Sequence, residues 1–454
     1  ALHHEVVDWV EARRQSTAFD DSHLQVMFDQ CKALIIGLQK RGAVVGSSLN
    51  TAYLLERLSQ TLERLETLMA IFVSNRYLPR RILLLTGCFA RAAAERHSIS
   101  RLWKQSSGLM ARSVTQNAGD HGEHYITRDK KEYWAMFYSA AGGGVLIALM
   151  ALFKIYLGSI IDDKVWKGIA EGLNYGLGFM VIFMLHFTVA TKQPAMTAAR
   201  FAEAVEKTPQ GKTVNMKLAQ LLVDVFRSQS IAVLGNVLIA MGLAALIAFG
   251  YQYKTGEPLM NADQIAYQLH SIDPFAGTLW FAAIAGVWLF CSGIISGYFD
   301  NRSNYLNMRM RLSQHPLLKK LMSEKTRVKF ANYMHENYGS LIGNLCFGML
   351  LGITGVVGYL THLPLDIRHV AFSSANVGYI AVSGQFTYSL LLQCIGFVLL
   401  IGLVNLIVSF SLTLWVALRS LNAEIDSWWP IWHEVCQIVK KRPLSLFLPV
   451  QLDK

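Results

Sequence analysis

The sequence is poor in charged residues. Of its 454 residues, 16% are Asp, Glu, Lys or Arg, whereas 53% are apolar. An ordinary water-soluble domain carries about 25% charged residues. The abundance of apolar residues excludes intrinsic disorder, which needs low hydropathy and high charge. The composition therefore predicts that much of the chain lies in lipid.

Cysteine is also scarce, and the familiar catalytic motifs are missing. Six cysteines occur, no two of them form a Cys-x-x-Cys pair, and neither His-Glu-x-x-His nor Gly-x-Ser-x-Gly is present. A disulfide framework, a zinc site and the common hydrolase sites are therefore not predicted. Cys291, Cys346 and Cys394 fall in apolar runs, where a free thiol packs as a small apolar side chain. We predict no cofactor.

Six long apolar runs dominate the rest of the chain. Each reaches the roughly 20 residues that an α-helix needs to cross a hydrocarbon layer of about 30 Å. The runs are Met136–Ile161, Ile169–Ala190, Ile231–Tyr251, Thr278–Phe299, Leu341–Leu360 and Leu390–Leu418. The fifth and sixth are separated by the weakly apolar stretch Ala371–Phe386, which is either a re-entrant segment or an outer loop; we expect the loop.

Lys and Arg are distributed unevenly between the connections. Of the 42 in the chain, 37 lie in residues 1–135, 191–230, 300–340 and the tail after 418, and only four lie in the other connections. Positively charged connections stay in the cytoplasm. We therefore predict a multi-pass protein of the bacterial inner membrane with both termini in the cytoplasm, and we expect no signal peptide at the start of the sequence. The net charge of +11 then faces anionic lipid headgroups and does not require nucleic acid.

Residues 1–135 are polar enough for water and are predicted to form a cytoplasmic helical bundle. Thr51–Met69 carries leucines at a spacing of three to four residues, which is typical of an amphipathic helix. Asp20 or Asp21 could cap a helix through Leu38, and Leu78–Gln105 is a third predicted helix. The predicted fold is all-α, with this bundle, a six-span membrane domain over residues 136–418, and a cytoplasmic tail over 419–454.

Glycine is abundant for a helical protein, with 34 in the chain. Gly-x-x-x-Gly pairs at Gly172/Gly176, Gly293/Gly297 and Gly348/Gly352 place two glycines on one helix face, which lets helix backbones approach closely. The pattern predicts a tightly packed bundle. It is also compatible with self-association, so a homo-oligomer or a membrane complex is a candidate assembly.

Polar residues inside the predicted spans are candidates for function, because a charge at the centre of a span costs about 2.5–3.5 kcal/mol on insertion scales. Lys154 lies deep in the first span and could extend toward Asp162 and Asp163 or pair with Glu171. Asn174, Asn236 and Asn405 are suited to hydrogen bonds between helices. His186 lies near the end of the second span.

Further candidates lie at the ends of the spans. His121 and His124 would share a helix face, but a zinc site needs a third ligand that is not nearby in sequence. Asp300 and Asn301 could cap the next helix. The candidate residues at the span ends are His124, Tyr125, Lys192, Gln193, Pro194, Asp300, Asn301 and Arg302.

Three of these regions carry strings in a characteristic order: GEHYIT at Gly122–Thr127, TKQPAMTA at Thr191–Ala198 and SGYFDNR at Ser296–Arg302. The strings resemble those of a bacterial family of polytopic membrane proteins called site-specific recombinases, of the gonococcal type. The resemblance implies DNA strand exchange by a membrane-tethered protein.

The residues themselves favour a different function. Tyrosine recombinases use a His-x-x-Arg motif, and none of the 13 histidines is followed by Arg three positions later. Serine recombinases use an α/β catalytic domain, and no alternation of strands and helices is visible. We expect a protein that handles lipid, transports a substrate or scaffolds a complex, with membrane lipids as partners. Recombination with DNA as partner is the alternative, and a channel lined by Asn174, Asn236 and Asn405 is a second.

Overall fold

The computed structural model describes residues 2–15, 17, 19–45, 49–72, 78–95, 126–127, 129–190, 204–205, 212–383, 386–420, 425 and 427–448. Over these residues the backbone forms helices, turns and irregular segments, and no strand. The predicted all-α fold is therefore confirmed.

Fifteen α-helices are described in chain order. They are α1 (Leu2–Arg14), α2 (Asp21–Val45), α3 (Leu49–Phe72), α4 (Leu78–Glu95), α5 (Lys130–Ile160), α6 (Lys164–Met184), α7 (Lys212–Thr255), α8 (Ala262–Ile272), α9 (Thr278–Tyr305), α10 (Met308–Gln314), α11 (Pro316–Leu321), α12 (Glu324–Thr361), α13 (Val370–Ala381), α14 (Tyr388–Ser420) and α15 (Trp429–Lys441). Short 3₁₀ helices occur at Pro274–Ala276 and Pro443–Leu446.

Helices α1 to α3 pack around a small hydrophobic cluster of their own. Its buried side chains are Trp9, Leu24, Phe28, Ile35, Leu62 and Met69. The leucine spacing noted for Thr51–Met69 lies inside α3. The helix that Asp20 or Asp21 was predicted to cap begins at Asp21, and the Asp20 carboxylate accepts from the amide of Ser22 at 2.9 Å. Its predicted end at Leu38 is wrong, because the helix continues to Val45. Lys32 of α2 donates to Glu66 of α3 at 2.6 Å.

Five of the described helices, α5, α7, α9, α12 and α14, are long and apolar enough to cross a membrane. Helix α6 corresponds to the remaining predicted span. Its 21 residues reach about 31 Å at 1.5 Å per residue, but Lys164, Lys167 and Glu171 make its first half polar. The predicted end of this span at Ala190 is wrong, because the helix ends at Met184 and residues 185–190 are irregular.

We call one end of the bundle the basic end. There α5, α7 and α12 begin and α6, α9 and α14 end, next to the lysine-rich and arginine-rich connections 191–230 and 300–340. The opposite end, which carries the connections with few cations, is called the charge-poor end. Helices α5, α7 and α12 therefore run in the opposite direction to α6, α9 and α14.

Helices α6 and α12 cross at their glycines. A Cβ atom at Gly348 would collide with the backbone of Gly176, and one at Gly352 would collide with the backbone of Gly172. The two helix backbones are thus in direct contact, as the Gly-x-x-x-Gly spacing predicted. Two of the three predicted glycine pairs pack against each other within one chain, and self-association stays a prediction.

The outer loop expected at Ala371–Phe386 is wrong. Residues 362–369 turn back into the bundle as irregular chain, and α13 then returns toward the charge-poor end. Leu365 lies against Gly358, the ring of His369 lies 5.8 Å from that of Phe347, and the amide of Val370 reaches α14. Ten of the twelve residues of α13 are buried. Irregular backbone is tolerated at this depth because protein surrounds it and supplies its hydrogen bonds.

Candidate functional site: a charged pocket between membrane helices

Lys154 and Glu171 form an ion pair between α5 and α6. The Lys154 Nζ lies 3.2 Å from the Glu171 Oε2, and the carboxylate side chain is 13% exposed. The same ammonium lies 5.6 Å from the ring centroid of Tyr175. This confirms the predicted alternative in which Lys154 pairs across the hairpin. Asp163 instead caps α6, where its carboxylate accepts from the first backbone amides.

The ion pair lines a pocket of about 670 Å³ near the charge-poor end. The pocket lies between α5, α6, α8, α12 and residues 365–376, which comprise the end of the irregular segment and the first half of α13. Its ionisable lining residues carry both signs of charge: Lys154, Lys164, Lys167, Glu171, Asp263, Asp366, Arg368 and His369. Charged groups so close to the apolar interior are costly unless they are paired or serve a ligand.

Arg368 is fixed in this pocket by several acceptors. Its Nη1 donates to Asp366 Oδ2 at 2.6 Å and to the carbonyl of Ile367 at 2.7 Å, and its Nε donates to the carbonyl of Ser271 at 2.8 Å. The guanidinium plane also lies 5.5 Å from the Phe281 ring. These bonds hold the irregular segment 362–369 to the start of α9 and to α8.

His369 follows directly and lies in an aromatic environment. It is 1% exposed, and its ring centroid lies 6.4 Å from that of Phe179, 5.8 Å from Phe347 and 6.1 Å from Phe372. Sequence reasoning missed His369, Asp366 and Arg368. The signal was a group of ionisable residues within a connection that otherwise carries few charges.

Asn405 of α14 satisfies the backbone where the returning segment meets α13. Its Oδ1 accepts from the amide of Val370 at 3.1 Å. Its Nδ2 donates to the carbonyls of Ala282 at 2.7 Å and of Arg368 at 3.0 Å. The side chain is fully buried, so it fixes this irregular backbone from inside the protein.

Asn236 of α7 has the same role at the end of α6. Its Oδ1 accepts from the amide of Ala190 at 2.6 Å, and its Nδ2 donates to the carbonyl of Thr188 at 2.9 Å and to that of Ala140. It is also fully buried. The predicted interhelical hydrogen bonds are confirmed.

The second alternative, a channel lined by three asparagines, is not supported by their positions. Asn174 donates to the carbonyl of Met150 at 2.9 Å, which joins α6 to α5. Asn236 and Asn405 have no exposed surface, and each is used by a different irregular segment. The three amides therefore do not face a common passage.

Four other predicted residues are placed apart from the pocket. His186 is exposed with a φ of 57°, and its carbonyl accepts from Ser139 at 3.0 Å. Asp300, Asn301 and Arg302 lie inside α9, so the predicted capping of the next helix is wrong. Asp300 accepts instead from the amide of Gly339 at 3.0 Å, which ties α9 to α12.

Five predicted residues fall outside the described part of the chain. They are His124, Tyr125, Lys192, Gln193 and Pro194. The last two residues of the GEHYIT string are described. Thr127 donates its amide to Ser228 Oγ at 2.8 Å, and its carbonyl accepts from the buried Arg227 at 2.6 Å, so α7 anchors the end of this string.

Over the described residues, no three or more His, Cys, Asp or Glu side chains are grouped as a metal site. The fold and the pocket define a class: a polytopic helical membrane protein with paired charges inside its bundle. The chain belongs to the site-specific recombinase family, whose family model matches residues 1–449. This is the family that the three strings indicated. No curated protein and no solved structure gives a significant match.

Proposed function

We propose that this protein transports a small charged solute across the membrane, with the pocket between α5, α6 and α12 as its binding site. The observation that carries the proposal is two ion pairs, Lys154–Glu171 and Arg368–Asp366, in one pocket. Ionisable residues among membrane helices typically line a substrate or ion path.

The dimensions of the pocket support this proposal. A volume of about 670 Å³ falls in the usual range for small-molecule sites, about 300–1,000 Å³. Lysine, arginine and carboxylate side chains around one space favour a solute that itself carries charge. An apolar lipid tail would leave these groups desolvated without new partners, so lipid handling is a weaker candidate.

The orientation of the pocket follows from the distribution of cations. With the basic end in the cytoplasm, the pocket opens away from the cytoplasm. Lys254 at the charge-poor end and Lys319 at the basic end are both exposed, so the variants Lys254→Cys and Lys319→Cys test this orientation. A membrane-impermeant maleimide added to intact cells should label the first and spare the second, whereas the reverse result would invert the proposed orientation.

The transport proposal is tested with the full chain in detergent. Thermal unfolding is measured with amino acids, small carboxylates and inorganic phosphate, and any compound that stabilises the protein is then assayed for uptake into proteoliposomes. A ligand at 100 times its Kd should stabilise the fold by about 2.7 kcal/mol.

Glu171→Gln should change the affinity for such a compound about tenfold. A cationic solute should bind more weakly because the pocket loses a negative charge, whereas an anionic solute should bind more tightly because Lys154 loses its competing partner. Glu257→Gln is the matched control, since Glu257 is exposed near the same end and outside the pocket. If no member of the panel shifts the unfolding temperature or enters the vesicles, the proposal fails.

The family description favours DNA strand exchange as a second candidate function. Exposed cations at the basic end, Arg309, Arg311, Lys319 and Lys320, could contact phosphates. A duplex should then bind at 50 mM salt and lose affinity steeply by 200 mM. Absence of binding to a labelled duplex at low salt would eliminate this candidate.

A further inference from the structure

Two sets of three membrane helices run in opposite directions. The first set is α5, α6 and α7, and the second is α9, α12 and α14. In each set an irregular segment follows the second helix: residues 185–190 in the first and 362–369 in the second. The first segment lies at the basic end and the second enters from the charge-poor end.

The buried asparagines occupy equivalent positions in the two sets. Asn236 and Asn405 each lie on the third helix and accept from one backbone amide at the end of the irregular segment, that of Ala190 or that of Val370, which directly follows residue 369. Each also donates to the carbonyl two residues earlier. Each donates once more to an alanine carbonyl on the first helix, Ala140 or Ala282.

A further pair of hydrogen bonds follows the same register. The amide of Thr188 donates to the carbonyl of Ser139 at 3.1 Å, and that of Arg368 donates to the carbonyl of Phe281 at 3.3 Å. The two acceptors directly precede the alanines that the asparagines bind. Four backbone or amide contacts therefore repeat with no shift in register.

The sequence retains a trace of this repeat. Residues 140–145 read AAGGGV, and residues 282–287 read AAIAGV. The shared glycine has the same environment in both, since a Cβ at Gly144 would lie 2.9 Å from the carbonyl oxygen of Asn236 and one at Gly286 would lie 3.1 Å from that of Asn405.

The second helices of the two sets share a glycine spacing. The glycines are Gly168, Gly172 and Gly178 in α6, and Gly348, Gly352 and Gly358 in α12. The Gly172–Gly352 contact joins two equivalent positions to each other. A contact between two equivalent positions is expected at the two-fold axis that relates inverted copies.

The two sets differ in how far their first two helices are separated. At the basic half of the bundle α9 and α12 are closed: a Cβ at Gly343 would lie 3.0 Å from the Ser296 Cβ. In the same register Ser296 is the counterpart of Lys154. Around Lys154 the equivalent helices α5 and α6 are separated by the pocket.

We infer that residues 130–255 and 278–420 are inverted copies of one three-helix unit, and that the pocket has a second opening, closed in this structure, between α9 and α12 at the basic end. If the copies exchange conformations, α5 and α6 close while α9 and α12 separate. The inference that this exchange gives a solute alternating access to the two sides rests on the proposed transport function. The repeat and the second opening are inferred independently of that function. Inverted repeats around a central site give alternating access in this way.

The test measures whether Ser296 becomes accessible from the basic end. Ser296 is 6% exposed, and the exchanged conformation would expose it as the pocket exposes Lys154. Ser296→Cys is treated with a membrane-impermeant maleimide in sealed vesicles of each orientation. Labelled peptides are identified by mass spectrometry, so the native cysteines stay in place.

Ser409→Cys is the matched control, because Ser409 is also a buried serine on α14, outside the α9–α12 contact. Lys319→Cys gives the rate at an exposed position of the same end. If the exchanged conformation is a minor state of about 0.1–10%, Ser296→Cys should react from the basic end at about 0.1–10% of the reference rate. Ser409→Cys should stay unreactive.

Ser292→Cys, one turn deeper in α9 and fully buried, repeats the test if Ser296→Cys does not fold. A second opening is ruled out if neither cysteine reacts from the basic end while Asn376→Cys in the pocket reacts from the other. It is also ruled out if Ser409→Cys reacts as fast as Ser296→Cys, since that indicates general opening of the bundle.

The outcomes separate this inference from the transport proposal. Labelling of Ser296→Cys without uptake of any solute in the panel would support the second opening and contradict transport. Uptake without labelling would support transport and contradict the second opening.

Discussion

The two three-helix units use the same backbone arrangement but carry different side chains. Residues 185–190 contain the exposed His186 and the buried Thr188, whereas residues 362–369 contain Asp366, Arg368 and His369, which line the pocket. Each segment is held by hydrogen bonds to its own buried asparagine, Asn236 in the first unit and Asn405 in the second. The comparison indicates that the fold depends on main-chain hydrogen bonds common to both units, while the chemistry resides in side chains that only one irregular segment has.

The largest expected effect is the loss of either buried asparagine. Asn236→Ala or Asn405→Ala removes three hydrogen bonds to buried backbone, which has no water to replace them. Single hydrogen bonds in membrane proteins contribute about 0.6 kcal/mol on average and up to about 1.7, so each variant should lose about 2–3 kcal/mol of unfolding free energy. Denaturant unfolding in detergent measures this loss.

Asn337→Ala is the matched control for the asparagines. Asn337 is half-buried, and its amide donates to Tyr333 of its own helix, so this variant should lose well under 1 kcal/mol. If the two asparagines have equivalent roles, Asn236→Ala and Asn405→Ala should lose similar amounts of unfolding free energy. A loss at only one of them would contradict the equivalence of the units.

A smaller effect is expected at the glycines where α6 crosses α12. A Cβ at Gly348 meets the backbone of Gly176, which cannot move without shifting a helix, so Gly348→Ala should destabilise the fold by about 1–3 kcal/mol. Its counterpart Gly168 meets the Val356 side chain, which can rotate. Gly168→Ala should therefore cost less.

Gly396→Ala sets the baseline for these substitutions, because a Cβ at Gly396 meets nothing within 4 Å. It should leave stability unchanged or raise it slightly, since alanine restricts the unfolded chain. Unfolding temperatures in detergent that rank Gly168→Ala below Gly348→Ala would contradict the contact geometry.

Much of the fold could be predicted from sequence. Apolar run length located all six helices, because an uninterrupted apolar helix satisfies its own backbone in lipid. Ten of the twelve helix ends lie within six residues of the predicted ones, whereas α7 and α12 begin 19 and 17 residues earlier than predicted. The glycine spacing of Gly172 and Gly348 predicted close helix contact. The end of α6 was predicted too late, because residues 185–190 are mostly apolar and continue the apolar run of the helix. Their irregular backbone is held by hydrogen bonds to the distant residues Ser139 and Asn236, which leave no local pattern in the sequence.

Less of the candidate site could be predicted. The pair Lys154–Glu171 could be predicted because both charges interrupt apolar runs. The returning segment with Arg368 and His369 could not be predicted, because a connection that enters the protein and one that stays outside have similar amino-acid composition. Its position depends on Asn405, which is 35 residues or more away in sequence, and such distant pairing leaves no local pattern.

The smallest expected effect on stability concerns the ion pair of the first unit. In the register of the repeat, Lys154 and Glu171 correspond to Ser296 and Leu351, and both of these residues are uncharged. Removing one partner leaves the other charge unpaired, whereas replacing both with uncharged residues can be neutral. Lys154 is 38% exposed, so solvent screening limits the loss for Glu171→Gln to about 1 kcal/mol. The double variant Lys154→Ser/Glu171→Leu should unfold within about 0.5 kcal/mol of the native chain and yet bind no charged solute. A double variant less stable than Glu171→Gln alone would show that the first unit cannot adopt the closed packing of the second.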